Sequence, residues 1–129
     1  MDAQTHLAEI YTRLSISPIV ESFVVLESRD ARDYGYFRAR LTLINHDHLE
    51  LAEYFVVTNE QIQVIRYRYQ WMDTVFALKK RWDNAKHHSG ILNFPHHIHV
   101  GTEDYVVSGD SLNVVELLTV LEQEFDHEI

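Results

Sequence analysis

The sequence predicts an α+β domain: an antiparallel sheet of about five strands flanked by N-terminal and C-terminal helices, both against one face. Two observations carry this prediction. Apolar residues recur at helical spacing near the two ends, and between them the period drops to two. A third observation bounds it: no Gly- or Pro-rich linker, repeat or low-complexity run divides the 129 residues. Residues 1–129 therefore read as one domain.

Leu7, Ile10, Tyr11 and Leu14 fall at i, i+3, i+4 and i+7, which predicts an amphipathic helix over residues 3–14. Asp2 is placed to cap it, and Ser17 followed by Pro18 blocks its extension. Phe37, Ala39, Leu41 and Leu43 alternate with Tyr36, Arg38, Arg40 and Thr42, the pattern of a half-buried strand. Asn45, His46, Asp47 and His48 form a polar turn before Leu49, Leu51, Phe55 and Val57, and Asn59-Glu60 begins the next strand. A tight hairpin across Met72-Asp73 is expected to face Trp71 with Thr74, Tyr69 with Phe76 and Tyr67 with Leu78. The opposite side would then carry Arg66, Arg68, Lys79 and Arg81 together. Val114, Leu117, Leu118, Leu121 and Phe125 predict the C-terminal helix, capped by Asp110 or Ser111.

With no cysteine, the chain has neither a disulfide framework nor a thiolate zinc site. No apolar run approaches a membrane span, and Met1-Asp2-Ala3-Gln4 lacks the layout of a secretory signal. A cytoplasmic protein with no membrane partner is the expectation. The formal charge of −9 argues against a general nucleic-acid coat, because counterion release needs an extended basic surface.

Residues 66–99 break the acidic pattern. They hold six Lys/Arg against two Asp/Glu, a formal +4 that leaves −13 for the rest, and five of the nine histidines. This asymmetry predicts one electropositive site on a negative body. Two readings of His96-His97-Ile98-His99 follow. In a strand His97 and His99 share a face, so a metal needs further ligands from His87 or His88, and the neighbouring cations would repel a dication. Acid–base chemistry suits the surroundings better, because imidazoles move protons near neutral pH and arginines grip phosphate. Tyr67, Tyr69, Trp71 and Trp82 are candidate base platforms, although their apolar face also suits a core. The 45–48 cluster reads as a turn, and His6 and His127 carry no signal.

Tyr67-Arg68-Tyr69, then Arg81-Trp82-Asp83-Asn84-Ala85-Lys86-His87-His88, then Phe94-Pro95-His96-His97-Ile98-His99-Val100, resemble in that order the TumE family, toxins of bacterial and archaeal toxin–antitoxin modules. Lys86 stands where that pattern usually has proline, and Ile98 where it often has a basic residue. The resemblance implies toxicity to a host cell and a cognate antitoxin partner, usually a small DNA-binding protein. It does not supply a reaction. The residues suggest a metal-independent ribonuclease without a cofactor, with His97 and His99 as solvent-facing base and acid and Arg68 and Arg81 on the scissile phosphate. His88 and Asp83 would orient the site, while Arg66, Lys79, Tyr67 and Tyr69 would extend the substrate surface. The alternatives are a non-catalytic module whose basic patch docks an acidic partner, and a metal-dependent hydrolase built on the same imidazoles.

Overall fold

A computed structural model of the chain describes residues 1–86 and 90–128. Among these residues the elements run α1 (Ala3–Ile16), β1 (Val20–Asp30), β2 (Tyr34–Leu43), β3 (His48–Thr58), β4 (Gln61–Met72), β5 (Leu78–Asp83), β6 (His97–Val100), β7 (Val106–Ser108) and α2 (Val114–Glu128). The seven strands pair antiparallel in sequential order. The helix–sheet–helix prediction holds, with two strands more than expected. Those two come from the histidine segment and the short strand after it, which are too brief to show a clear period.

Each junction has a local cause. At the start of α1, the Asp2 carboxylate accepts from the Thr5 amide at 2.8 Å, a hydrogen bond that also holds its pKa below the usual value. Asn59 and Glu60 have φ of 53° and 63°, so they form a two-residue turn between β3 and β4 rather than the start of a strand. The Met72-Asp73 hairpin is corrected. The loop runs through residues 73–77, because Asp73 Oδ1 accepts from both the Val75 and Ala77 amides at 2.9 Å. Tyr69 consequently faces Trp82, and Trp71 faces Lys80. The cap of α2 is also corrected. Asn113 and Glu116 exchange side-chain-to-backbone hydrogen bonds of 2.8 and 2.9 Å, a capping box worth about 0.5–2 kcal/mol.

Alternation sends Phe37, Ala39, Leu41, Leu49, Leu51, Tyr69, Trp71 and Trp82 to one side of the sheet, where Leu7, Ile10, Leu14, Leu117, Leu118 and Leu121 of the helices meet them. A polar pair, Glu53 and His6, lies within this layer. Glu53 is fully buried, 2.8 Å from His6 Nε2, and accepts from the Val114 amide at 2.7 Å and the Tyr69 hydroxyl at 3.3 Å. It thereby pins both helices to β3. His6 carries no signal in the sequence because its partner lies 47 residues away. Among the described residues, the other side of the sheet carries no helix and presents Tyr36, Arg38, Tyr54, Arg66 and Arg68.

Candidate functional site

The β4–β5–β6 register builds the site on this helix-free side. Arg68 faces Asp83, which faces His97, and Gln70 faces Arg81, which faces His99. Trp82 and Ile98 point the other way, into the core. Beyond the end of β5, the Asn84 side chain continues the pairing. Its Oδ1 accepts from the Tyr67 amide at 3.0 Å and its Nδ2 donates to the Ile65 carbonyl at 2.9 Å. Asp83 is thereby fixed against β4.

His97 and His99 are 1% and 2% exposed, so the expectation of solvent-facing imidazoles is corrected. Loops on either side of β6 cover them. His97 Nδ1 lies 2.8 Å from the Pro95 carbonyl, and His99 Nδ1 lies 2.9 Å from the Glu103 carbonyl. A carbonyl only accepts, so both Nδ1 atoms carry a proton and both Nε2 atoms turn toward Asp83 and Arg81. Neutral His99 then accepts from Arg81 Nη2 at 3.1 Å. Burial holds the His99 pKa below its ordinary range; the bond to the Glu103 carbonyl opposes that shift and the Arg81 charge reinforces it. His97 Nε2 stands 2.8 Å from Asp83 Oδ1, within ion-pair distance of the carboxylate.

Arg81 ties these groups together. Its Nε donates to Asp83 Oδ2 at 3.0 Å, and its fork grips the Glu103 carboxylate at 2.5 and 2.6 Å. Glu103 is itself largely exposed, and Arg81 holds its pKa below the usual carboxylate range. Gln70 Oε1 accepts from Arg68 at 2.7 Å and from Arg81 at 3.4 Å, which keeps the two guanidinium groups side by side. In front of them opens a cavity of about 850 Å³ lined by Tyr54, Arg66, Arg68, Arg81, Asp83 and Lys86, among others. Asp83 and Arg81 reach this cavity; the imidazoles lie behind them.

The structure thus brings together Asp83, His97, His99, Arg81, Arg68 and Arg66. It separates others. A bulge between β4 and β5 directs Lys79 away from the arginines, onto the Trp71 ring at 4.1 Å and Asp47 at 3.0 Å. Tyr69 is corrected as a base platform, because it is fully buried and donates to the Leu112 carbonyl. Tyr67 stacks on Tyr69 and its hydroxyl lies 2.9 Å from His96 Nδ1, yet it also lines the cavity. Burial drives both hydroxyl pKa values upward. His88, with His87, lies outside the described residues. Glu103 was missed; its signal was an acidic residue in the turn after the histidine strand β6. Residues 8–128 match the family model described as Toxin TumE. The chain belongs to the TumE toxin family. No curated protein and no solved structure matches it. Among the described residues of this TumE-family chain, no helix is long and apolar enough to cross a membrane.

A metal also suits part of this donor set. One oxygen of Asp83 and one nitrogen from each of His97 and His99 lie within 4.8 Å of one another. Backbone carbonyls on both Nδ1 atoms are the usual means of aiming imidazoles at an ion. Against this, the Arg81 guanidinium already brings positive charge to Asp83 and His99. An ion would have to displace it.

Proposed function

We propose that this toxin cleaves RNA by internal attack of a 2′-hydroxyl, using its own side chains in place of a metal. The observation that carries the reading is Arg81, bonded at once to Asp83, to the neutral His99 and to the Glu103 carboxylate at the mouth of the cavity. A substrate phosphate would replace Glu103 on the guanidinium fork, with Arg68 alongside. Once Arg81 turns to the phosphate, His99 Nε2 takes the 2′-hydroxyl proton. The 2′-oxygen bonds to phosphorus, and the bond from phosphorus to the 5′-oxygen breaks. A proton delivered from His97 by way of Asp83 passes to that leaving oxygen. Arg81 offsets the extra negative charge of the transition state. Asp83, which lines the cavity, is the group that meets the substrate on this side. His88 remains a proposed positioning residue.

The cognate antitoxin, on this reading, covers Arg66, Arg68 and Arg81 with an acidic segment and blocks the site directly. Lys79 is withdrawn from that surface because it is engaged with Asp47. Convergence of two imidazoles and a carboxylate favours a second reading, metal-dependent hydrolysis. The end chemistry of the products decides. Untagged protein, exhaustively chelated, should still cut single-stranded RNA and leave 2′,3′-cyclic phosphate ends. Activity lost on chelation and restored by a divalent ion would select the metal reading. Absence of any cleavage would leave a binding module.

A further inference from the structure

The helix-free face extends beyond the cavity, and its composition is specific. Two cross-strand rows run over it. In one, Tyr36 of β2 faces Tyr54 of β3, which faces Arg66 of β4. In the other, Arg38 faces Ala52, which faces Arg68, and Arg68 faces Asp83. With strands about 4.8 Å apart, the second row spans roughly 14 Å from Asp83 to Arg38. The small side chain of Ala52 lines a hollow of about 170 Å³ beside Arg66 and Arg68, bounded by Tyr36 and Tyr54. Tyr54, Arg66, Tyr67 and Arg68 line both this hollow and the larger cavity, so the two depressions adjoin. Arg66 lies over the Tyr54 ring with its guanidinium carbon 5.8 Å from the centroid.

We propose that this face is a binding track for single-stranded RNA, with Tyr54 and Tyr36 as base platforms and Arg38, Arg66 and Arg68 on the phosphates. The proposal rests on the ribonuclease reading and supplies the substrate class for the same site. Three observations select that occupant. Arg38, Arg66 and Arg68 are exposed on a chain whose formal charge is −9, so their placement on one face is a local reversal of sign that suits a polyanion. Half-buried tyrosines between exposed arginines suit a base that stacks while its phosphates are gripped, the way an open sheet reads unpaired RNA. The track also leads directly to Asp83 rather than away from it. A duplex keeps its bases stacked internally and cannot use the rings. An acidic peptide could use the cations but has no need of the ring faces.

Fluorescence anisotropy tests this with an end-labelled RNA of about ten nucleotides, 2′-O-methylated so that it cannot be cut. Wild type should bind the single strand at least about tenfold more tightly than the same sequence as a duplex. Tyr54→Ala and Tyr36→Ala should each weaken binding by about 5- to 150-fold, as expected for loss of one stacked base. Tyr54→Phe, which keeps the ring, should bind like wild type, as should Arg13→Ala on the helix side of the sheet. Melting curves establish that each variant is folded. Should an alanine variant unfold, Arg38→Ala provides the test: the slope of log affinity against log salt should shrink by about 0.7. Single-strand binding that ignores the tyrosines and Arg38, or a duplex bound equally well, overturns the track and leaves the ribonuclease reading standing. Failure to bind either RNA at low salt overturns both.

Discussion

Among the described residues the molecule buries two carboxylate–imidazole clusters, and they have opposite surroundings. Glu53 and His6 sit between sheet and helices, where every contact joins elements of the fold: α1 through His6, the start of α2 through the Val114 amide, β4 through the Tyr69 hydroxyl. Asp83 and His97 sit on the helix-free side beneath loops, and among the described residues their neighbours include His99 and a guanidinium that reaches a cavity. Similar chemistry is a staple in one place and a candidate site in the other. What differs is access: Asp83 lines a cavity on the helix-free face, and Glu53 lies fully buried in the helix-covered layer.

That contrast can be broken experimentally. The largest expected effect is on the helix-free side. His97→Ala and His99→Ala should each cut RNA cleavage by about 100- to 10,000-fold, because each removes a positioned proton carrier. Both should also destabilise the fold by about 1–3 kcal/mol, since the imidazoles are buried and hydrogen-bonded to carbonyls, which a thermal melt will register. Glu53→Ala should cost about 3–5 kcal/mol of stability by stripping buried His6 of its partner and uncapping α2. Chemical denaturation of that variant measures it. Residual toxicity should follow the folded fraction alone.

Smaller effects sharpen the comparison. Glu103→Gln removes an exposed competitor for the Arg81 fork and should tighten RNA binding by about two- to fivefold, read by anisotropy. Acid should slow cleavage through His99. Its folded-state pKa lies below the ordinary 6.5, so the neutral base persists at neutral pH and is lost as pH falls through that lowered value. A rate–pH profile should therefore show a plateau above about 6.5 and an acid limb below it. Stability runs the same way. The unfolded chain takes the proton first, so this contribution is complete above the unfolded pKa and fades as pH falls through the folded one.

Much of this was legible in the sequence. The period-3.6 ends and period-2 middle determine the architecture, and alternation correctly puts Arg66 with Arg68 and His97 with His99, while the β4–β5–β6 register brings the two pairs to one side. Features that depend on a single residue's geometry were not legible. Asp73 holds a five-residue loop where a two-residue turn was expected, and the extra residue Lys79 changes sides by a bulge. Asn113 caps α2 through a partner three residues on, whereas Asp110 accepts from Asn93 instead. The strands β6 and β7 have four and three residues, too few to declare a period. Contributions from distant strands were out of reach as well. Tyr36, Arg38 and Tyr54 join the site through pairing register, and Glu103 joins it by folding back onto Arg81.

The measurement that bears most directly on the contrast is the cleavage rate per folded molecule, obtained by dividing the single-turnover rate by the folded fraction from a melt of the same preparation. Two variants are enough, His99→Gln and Glu53→Ala, each below its melting transition. A catalytic helix-free cluster and a purely structural helix-side cluster predict a drop of at least about 100-fold for His99→Gln and a rate close to wild type for Glu53→Ala. Folded His99→Gln protein that cuts as fast as wild type would contradict the assignment.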